Sequence, residues 1–95
     1  MFVVLLSYTC DISKVEQHLA AHVAYLEQQY AAGVFLASGR KVPRTGGVIL
    51  AQADSREQLL QILAQDPFQQ QQLADYEVIE FIPSKTAAAL AFLQQ

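Results

Sequence analysis

Cysteine, long apolar runs and basic charge are all scarce in this sequence of 95 residues. Its single cysteine, Cys10, rules out a disulfide within the chain and is compatible with a reducing cytosol. The apolar runs at residues 2–6 and 87–93 fall short of the ~20 residues that a membrane helix needs. The opening run also has no positive charge before it, unlike a secretory signal. We therefore expect a cytoplasmic protein without a membrane span.

The balance of charges excludes several classes of partner and cofactor. Six basic residues stand against nine acidic ones, which gives a net charge of −3, whereas nucleic-acid binding needs a strongly basic face. No glycine-rich phosphate loop is present, because Gly46 and Gly47 open a predicted strand and not a helix. His18 and His22 lie four residues apart, but no metalloprotease pattern accompanies them. We expect no nucleic acid, no metal and no cofactor.

The hydrophobic share of the composition points to an assembly. Hydrophobic residues make up 53% of the chain and charged residues only 16%. A chain of this length forms one domain, and such a small domain cannot hide that much apolar surface alone. We expect a homodimer or a higher homo-oligomer.

The pattern of apolar residues predicts the first half of the fold. Residues 2–7 form a continuous apolar strand, and a helix is predicted over residues 13–32. Asp11 and Ser13 are the capping candidates at its start, where Ser13 and Glu16 match a capping box, and Gly33 fits its C-terminal cap. The apolar stripe of this helix has spacings of three and four residues. Its members are Val15, Leu19, His22, Leu26 and Tyr30.

The second half repeats the order of strand and helix. Strands are predicted at residues 34–39 and 47–53, joined by a loop over residues 40–46 that contains proline and glycine. A capped helix opens at residues 54–57 and ends at Asp66 and Pro67. A last strand follows at residues 76–82. We expect one ferredoxin-like domain over residues 1–83 and a helical C-terminal tail over residues 84–95.

The resulting order is β-α-β-β-α-β, an α+β fold in which an antiparallel sheet carries its helices on one face. Residues 2–6 and 34–37 are nevertheless apolar on both sides of their strands. The helices can cover only one face, so a second subunit or the C-terminal tail should cover the other. A homodimer packed sheet to sheet is the expected assembly.

Two residues 44 positions apart form the candidate catalytic pair. His22 lies on the apolar stripe of the first helix, and Asp66 stands before a proline at the end of the second. A carboxylate that orients an imidazole raises its basicity, which suits general acid–base chemistry. Two alternatives stay open, because His22 can be a packed core histidine and Asp66 can simply cap a short helix after Pro67.

The topology brings the start of the first helix, the loop at residues 40–46 and Asp66 to one end of the sheet. Arg40, Lys41 and Arg44 crowd half of the six basic residues of the chain into this loop. They can attract an anionic small molecule, or form an ordinary solvated hairpin tip. Ser38 and Gly39 precede them and are small enough to let a ligand approach the backbone.

Several segments together resemble the YciI-like (YCII-related) family over most of residues 1–82. They are His22 with Tyr25 and Leu26, residues 30–39, residues 46–50, and Asp66 with Pro67 and Phe68. The resemblance implies a dimeric α/β-barrel-like assembly of ferredoxin-like domains, with a pocket that holds a dyad of His22 and Asp66. The family includes a dehydrochlorinase of aromatic degradation, although most members have no known activity. This chain has Arg40 where relatives usually have proline.

The leading interpretation is a small cofactor-independent enzyme, a lyase or an isomerase. His22, oriented by Asp66, would take a proton from a small anionic or phenolic substrate. Ser38, Gly39, Arg40 and Arg44 would bind that substrate, with an arginine stabilising the developing charge. One alternative is a dimer that binds or senses a small molecule without catalysis. The other is a structural dimer in which His22 is only packed.

Overall fold

The computed structural model describes all residues, 1–95. Four strands and four α-helices form the domain, and a short 3₁₀ helix forms its tail. The strands are β1 (Phe2–Tyr8), β2 (Phe35–Arg40), β3 (Gly46–Ala51) and β4 (Ala74–Glu80). The α-helices are α1 (Ile12–Gln17), α2 (Leu19–Ala31), α3 (Arg56–Leu63) and α4 (Pro67–Gln70), and the 3₁₀ helix spans Ala88–Leu93.

The strands form one sheet in the order β2-β3-β1-β4, and each pair of neighbours is antiparallel. With its helices, this is the predicted α+β, ferredoxin-like fold, so the expected fold class is confirmed. The strand ends differ from the predicted ones by one or two residues, because pairing with the neighbouring strands sets them. β4, for example, begins where Ala74 pairs with Tyr8. No helix is both long enough and apolar enough to cross a membrane.

The core lies between the helices and one face of the sheet. Phe2, Val4 and Leu6 alternate along β1 and are buried. Leu59 and Leu63 of α3 are buried in the same cluster. Each such side chain contributes about 1.5–3 kcal/mol on burial, so this layer holds the helices in place against the sheet.

The first predicted helix is broken in two. The backbone leaves helical geometry at His18, which has φ −108° and ψ 5°, and the chain restarts as α2 at Leu19. The predicted capping box is also wrong, because Asp11, not Ser13, is the N-cap residue and its side chain makes no capping bond. The apolar periodicity runs across the break without interruption, so it could not reveal the break.

Because of this break, the predicted apolar stripe is only partly correct. His22, Tyr25 and Gln29 are the buried residues of α2, whereas Leu19 and Tyr30 are exposed. The side chains after His18 no longer continue the register set by Val15. His22 belongs to both the predicted stripe and the observed one.

A β-bulge in β2 decides which side chains of this strand point towards the helices. Phe35 pairs with Ala51, but after the bulge Ser38 pairs with Ile49. Paired residues share a face of the sheet, and one extra residue exchanges the faces of the residues that follow. Ser38 and Arg40 therefore lie on the helix-covered face, where Ala37 and Gly39 would otherwise be.

The other face of the sheet has no helix against it. Val3, Leu5 and their cross-strand partners Leu50, Val48 and Ile79 lie on this open face. Val48 and Ile79 are 36% and 45% exposed. The tail folds back on Pro83 and Ser84 through backbone and side-chain hydrogen bonds of Gln95 and Gln94, and it leaves these apolar side chains exposed.

Gly46 offers a direct test of how closely β3 packs against β1. A Cβ atom at Gly46 would lie 1.7 Å from the backbone oxygen of Leu6, whereas one at Gly39 would meet nothing within 4 Å. We expect Gly46→Ala to lower the free energy of unfolding by roughly 1–3 kcal/mol or more through overpacking. Gly39→Ala should leave it unchanged or raise it by up to about 1 kcal/mol. Urea denaturation of both variants measures the difference, and equal stabilities would contradict the described packing.

Candidate functional site

His22 and Asp66 meet on the helix side of the sheet. The Nδ1 atom of His22 lies 2.7 Å from Oδ1 of Asp66. Asp66 is fully buried, and His22 is only 9% exposed. The structure thus brings the two candidate catalytic residues into direct hydrogen-bond contact, with the carboxylate away from solvent.

Three donors surround the Asp66 carboxylate. Oδ1 accepts hydrogen bonds from His22 and, at 3.0 Å, from the backbone N–H of Phe68, while Oδ2 accepts the hydroxyl hydrogen of Tyr76 at 2.5 Å. The bond to Phe68 is the N-cap contact of α4, with Pro67 in its first turn. The capping role and the contact with His22 therefore coexist in one side chain.

These contacts determine which nitrogen of the neutral imidazole carries the proton. An ionised carboxylate only accepts hydrogen bonds, so we assign the proton of the neutral ring to Nδ1. The Nε2 atom makes no hydrogen bond within the chain, and His22 lines a cavity. A neutral imidazole in this tautomer presents an unshared electron pair on Nε2, which can accept a proton from a bound molecule.

Aromatic packing holds the imidazole in place. The ring of Phe68 stacks on that of His22, with centroids 3.8 Å apart and planes 2° from parallel. Tyr8 packs edge-on against Phe68 at 6.2 Å. The ring of His22 is thus fixed by a hydrogen bond at one edge and by a flat partner on one face.

Two buried tyrosines lie close to the carboxylate. Burial and the charge of Asp66 raise the pKa of Tyr25 and of Tyr76 well above the usual range for a phenol. For Tyr76 the hydrogen bond to Asp66 adds to this shift. Both hydroxyls therefore stay protonated as donors. Tyr25 donates to the backbone oxygen of Ile62 at 2.8 Å and not to Asp66.

The cavity next to His22 has a volume of about 310 Å³. It lies between α2 and the sheet, and its wall is mostly apolar. The apolar and aromatic side chains of this wall are Leu6, Tyr8, Leu19, Val23, Leu26, Ile49 and Phe68. The helix break at His18 accounts for part of this wall, because Leu19 and Val23 face the cavity instead of the core, while Leu26 contacts both.

The four predicted ligand-binding residues all line this cavity: Ser38, Gly39, Arg40 and Arg44. Lys41 does not. Its Nζ donates to Ser7 Oγ at 3.1 Å, and Ser7 lies on the opposite face of β1 from Leu6. The structure therefore separates the three cations of the loop into two arginines at the cavity and one lysine outside it.

Arg44 is only partly engaged by the protein. Its Nη1 donates to Oε1 of Glu16 at 3.3 Å, in a pair whose side chains are 26% and 56% exposed. Its Nε is buried without a hydrogen-bond partner. An exposed pair of this kind contributes only about 0–1 kcal/mol, so the guanidinium retains donors for an anionic ligand.

Sequence reasoning missed the donors around the site. Tyr76 falls in the last predicted strand and Tyr8 lies just after the first one, but Tyr76 donates a hydrogen bond to Asp66 and Tyr8 lines the cavity. Alternation along β1 and β4 places Leu6, Tyr8 and Tyr76 on one face, a signal that requires the strand register. No group of three or more His, Cys, Asp or Glu side chains is placed to hold a metal ion.

A solved structure shares this fold. It is the 5-chloro-2-hydroxyhydroquinone dehydrochlorinase from Burkholderia phenoliruptrix AC1100, in complex with 2,5-dihydroxybenzoquinone. The two chains are 20% identical and superimpose with a TM-score of 0.72, over 85% of this chain and 93% of the other. At this identity the likeness shows the fold alone. No curated protein matches the chain.

The YCII-related domain matches residues 1–82, which include every strand and α-helix of the domain. The resemblance inferred from His22, Asp66 and the neighbouring segments is thereby confirmed. The chain belongs to the family of YCII-related domain proteins.

Proposed function

We propose that the protein is a small cofactor-independent enzyme that moves a proton on a phenolic or otherwise anionic ring substrate. The observation that carries this proposal is the contact between His22 Nδ1 and Asp66 Oδ1 at 2.7 Å, on the wall of a mostly apolar cavity. A buried carboxylate behind an imidazole, with the second ring nitrogen free, is an arrangement suited to a general base.

In the proposed reaction, Nε2 of His22 takes a proton from the substrate. The electron pair left behind forms a double bond and expels a leaving group in an elimination. In an isomerisation the proton returns to another atom of the substrate. Asp66 stabilises the imidazolium that forms, and Arg40 and Arg44 stabilise the negative charge that develops on the substrate.

The cavity supports a ring-sized substrate. A volume of about 310 Å³ lies at the low end of ordinary ligand sites, which span roughly 300–1,000 Å³. The apolar wall suits the faces of a ring, and the two arginines suit an ionised hydroxyl. The dehydrochlorinase with the same fold was solved with a dihydroxyquinone, so 2,5-dihydroxybenzoquinone, an anion at neutral pH, is our first probe.

We further propose that the protein is a cytoplasmic homodimer packed through the open face of the sheet. Val48 and Ile79 remain exposed there, because neither the helices nor the tail covers them. A second copy of the chain offers an equally apolar face and can bury both at once, as symmetric dimers do. The free thiol of Cys10 is compatible with the cytoplasm.

Substitutions in the dyad test the proposed chemistry. His22→Asn places an amide near the position of Nδ1, which can still donate to Asp66, but it removes Nε2. Asp66→Asn preserves a good N-cap residue for α4 and removes the charge. We expect each to reduce turnover of a chlorinated hydroxyhydroquinone by roughly 10²- to 10⁴-fold, the usual contribution of a positioned base. The rate of chloride release by the purified proteins measures this turnover.

The double variant separates a coupled pair from two independent residues. If His22 and Asp66 act as a unit, the double variant should lose little more activity than either single one. If the loss of activity in the double variant equals the product of the two single fold-losses, His22 and Asp66 act independently and the dyad is contradicted. If the wild-type protein binds the probe but releases no chloride from any chlorinated substrate and isomerises none, it is a binding or sensing module instead.

The loop cations are tested by removing charges one at a time. We expect Arg40→Gln and Arg44→Gln each to weaken binding of 2,5-dihydroxybenzoquinone roughly tenfold or more, since a hydrogen bond to a charged group is worth about 1.5–3 kcal/mol. Lys41→Gln is the matched control, because it loses the same charge outside the cavity. Neutral hydroquinone should bind all four proteins alike in isothermal titration calorimetry.

Added salt provides the second half of that test. Salt screens exposed charges, over a length of about 8 Å at physiological concentration. As salt rises to that concentration, the wild-type protein and the arginine variants should therefore differ less in their affinity for 2,5-dihydroxybenzoquinone. If the wild-type protein and both arginine variants prefer 2,5-dihydroxybenzoquinone over neutral hydroquinone by the same factor, the loop is an ordinary solvated hairpin.

The assembly is tested by charging the open face. We expect the wild-type protein to be a dimer at micromolar concentration and Ile79→Glu to be a monomer, because a buried unpaired charge opposes the contact. Leu60→Glu is the control, since Leu60 is equally exposed, at 46%, but lies on α3 away from that face. Light scattering reports the mass of each. A monomeric wild-type protein, or loss of the dimer in both variants, would refute the sheet-to-sheet contact.

A further inference from the structure

Tyr76 lies behind the dyad, in strand β4 next to β1. Its hydroxyl donates to Oδ2 of Asp66 at 2.5 Å, while His22 and the backbone of Phe68 occupy Oδ1. Tyr76 does not line the cavity that His22 faces. It can therefore act on a bound molecule only through Asp66.

The contact has two physical consequences for the carboxylate. Donors on both oxygens hold the plane of the carboxylate in one orientation, so Oδ1 stays directed at Nδ1 of His22. The hydroxyl also compensates part of the negative charge, in a place where water cannot do so because Asp66 is fully buried. Without the hydroxyl, the imidazole would be the only side-chain donor to a desolvated charge.

We propose that Tyr76 is a positioning residue that tunes the proton affinity of the pair formed by His22 and Asp66. Its hydroxyl stabilises the ionised carboxylate of Asp66, and so lowers the affinity of the pair for a further proton. A catalytic importance of Tyr76 rests on the proposed function. The effect of Tyr76 on the proton affinity of the pair can be measured without any substrate.

The sign of the effect follows from the hydrogen bonds. Tyr76→Phe removes a donor that stabilises the ionised carboxylate, so the proton affinity of the pair rises. The added proton can reside on the imidazole or on the carboxylate, but in both cases it is released at higher pH. A larger fraction of the pair is then protonated at neutral pH, and less free base is available.

The test is an NMR titration of isotopically labelled histidine in the 95-residue chain. We expect the midpoint of the His22 signals to move to higher pH by about one unit in Tyr76→Phe, a change equivalent to about 1.4 kcal/mol. His18 is an internal reference in the same spectra. Tyr25→Phe is the matched control, because Tyr25 is a buried tyrosine close to Asp66 whose hydroxyl donates to Ile62 instead. The His22 midpoint in Tyr25→Phe should match that in the wild-type protein.

A purely structural role for Tyr76 predicts a different result. Loss of a buried hydroxyl would then lower the thermal midpoint of unfolding in both variants and leave the His22 titration unchanged in both. An unchanged titration in folded Tyr76→Phe, or an equal shift in Tyr25→Phe, overturns the proposal.

If Tyr76→Phe does not fold, 3-fluorotyrosine incorporated at position 76 supplies the same test with the opposite sign. Its more acidic hydroxyl is a stronger donor to Asp66, so the His22 midpoint should move to lower pH, and an unchanged midpoint overturns the proposal. A shift in either experiment, combined with no turnover of any ring substrate, would refute the proposed enzymatic function and leave the role of Tyr76 on the pair intact.

Discussion

The buried carboxylate of Asp66 is the constraint on which the site depends. An ionised group without water needs hydrogen bonds on both oxygens, because a buried acceptor left unsatisfied costs about 1–3 kcal/mol, and a charged one costs more. Here the donors come from three different elements: His22 of α2, the first turn of α4, and Tyr76 of β4. Satisfying one carboxylate therefore fixes the positions of two helices and a strand relative to one another, and it presents one imidazole to the cavity.

Two irregularities in the backbone complete the cavity around that imidazole. The break at His18 turns Leu19 and Val23 from the core towards the cavity. The bulge in β2 turns Ser38 and Arg40 to the same side. In a regular strand Ala37 and Gly39 would stand on that face instead, and the guanidinium of Arg40 would lie on the other side of the sheet. Such local departures from ideal geometry are common near functional sites.

The sequence predicted what periodicity and composition can encode. The order of elements, the place of His22 on a buried stripe and the place of Asp66 before Pro67 follow from spacing and capping preferences. The break, the bulge and the contact of Tyr76 with Asp66 depend on strand register and tertiary packing, which no local pattern in this chain records. A shift of one residue reverses the face of every side chain that follows, so the sequence could name Arg40 as a candidate ligand-binding residue but not the face of the sheet on which its side chain lies.

The most direct test of the account is a crystal structure of the protein with 2,5-dihydroxybenzoquinone. The account predicts the ring in the cavity between α2 and the sheet, with a ligand atom within roughly 3.5 Å of Nε2 of His22. It also predicts an ionised oxygen of the ligand at the guanidinium of Arg40 or Arg44, and Nδ1 still bonded to Asp66. A ligand bound elsewhere, or one in the cavity that makes no contact with Nε2, would contradict the assignment of His22 as the base.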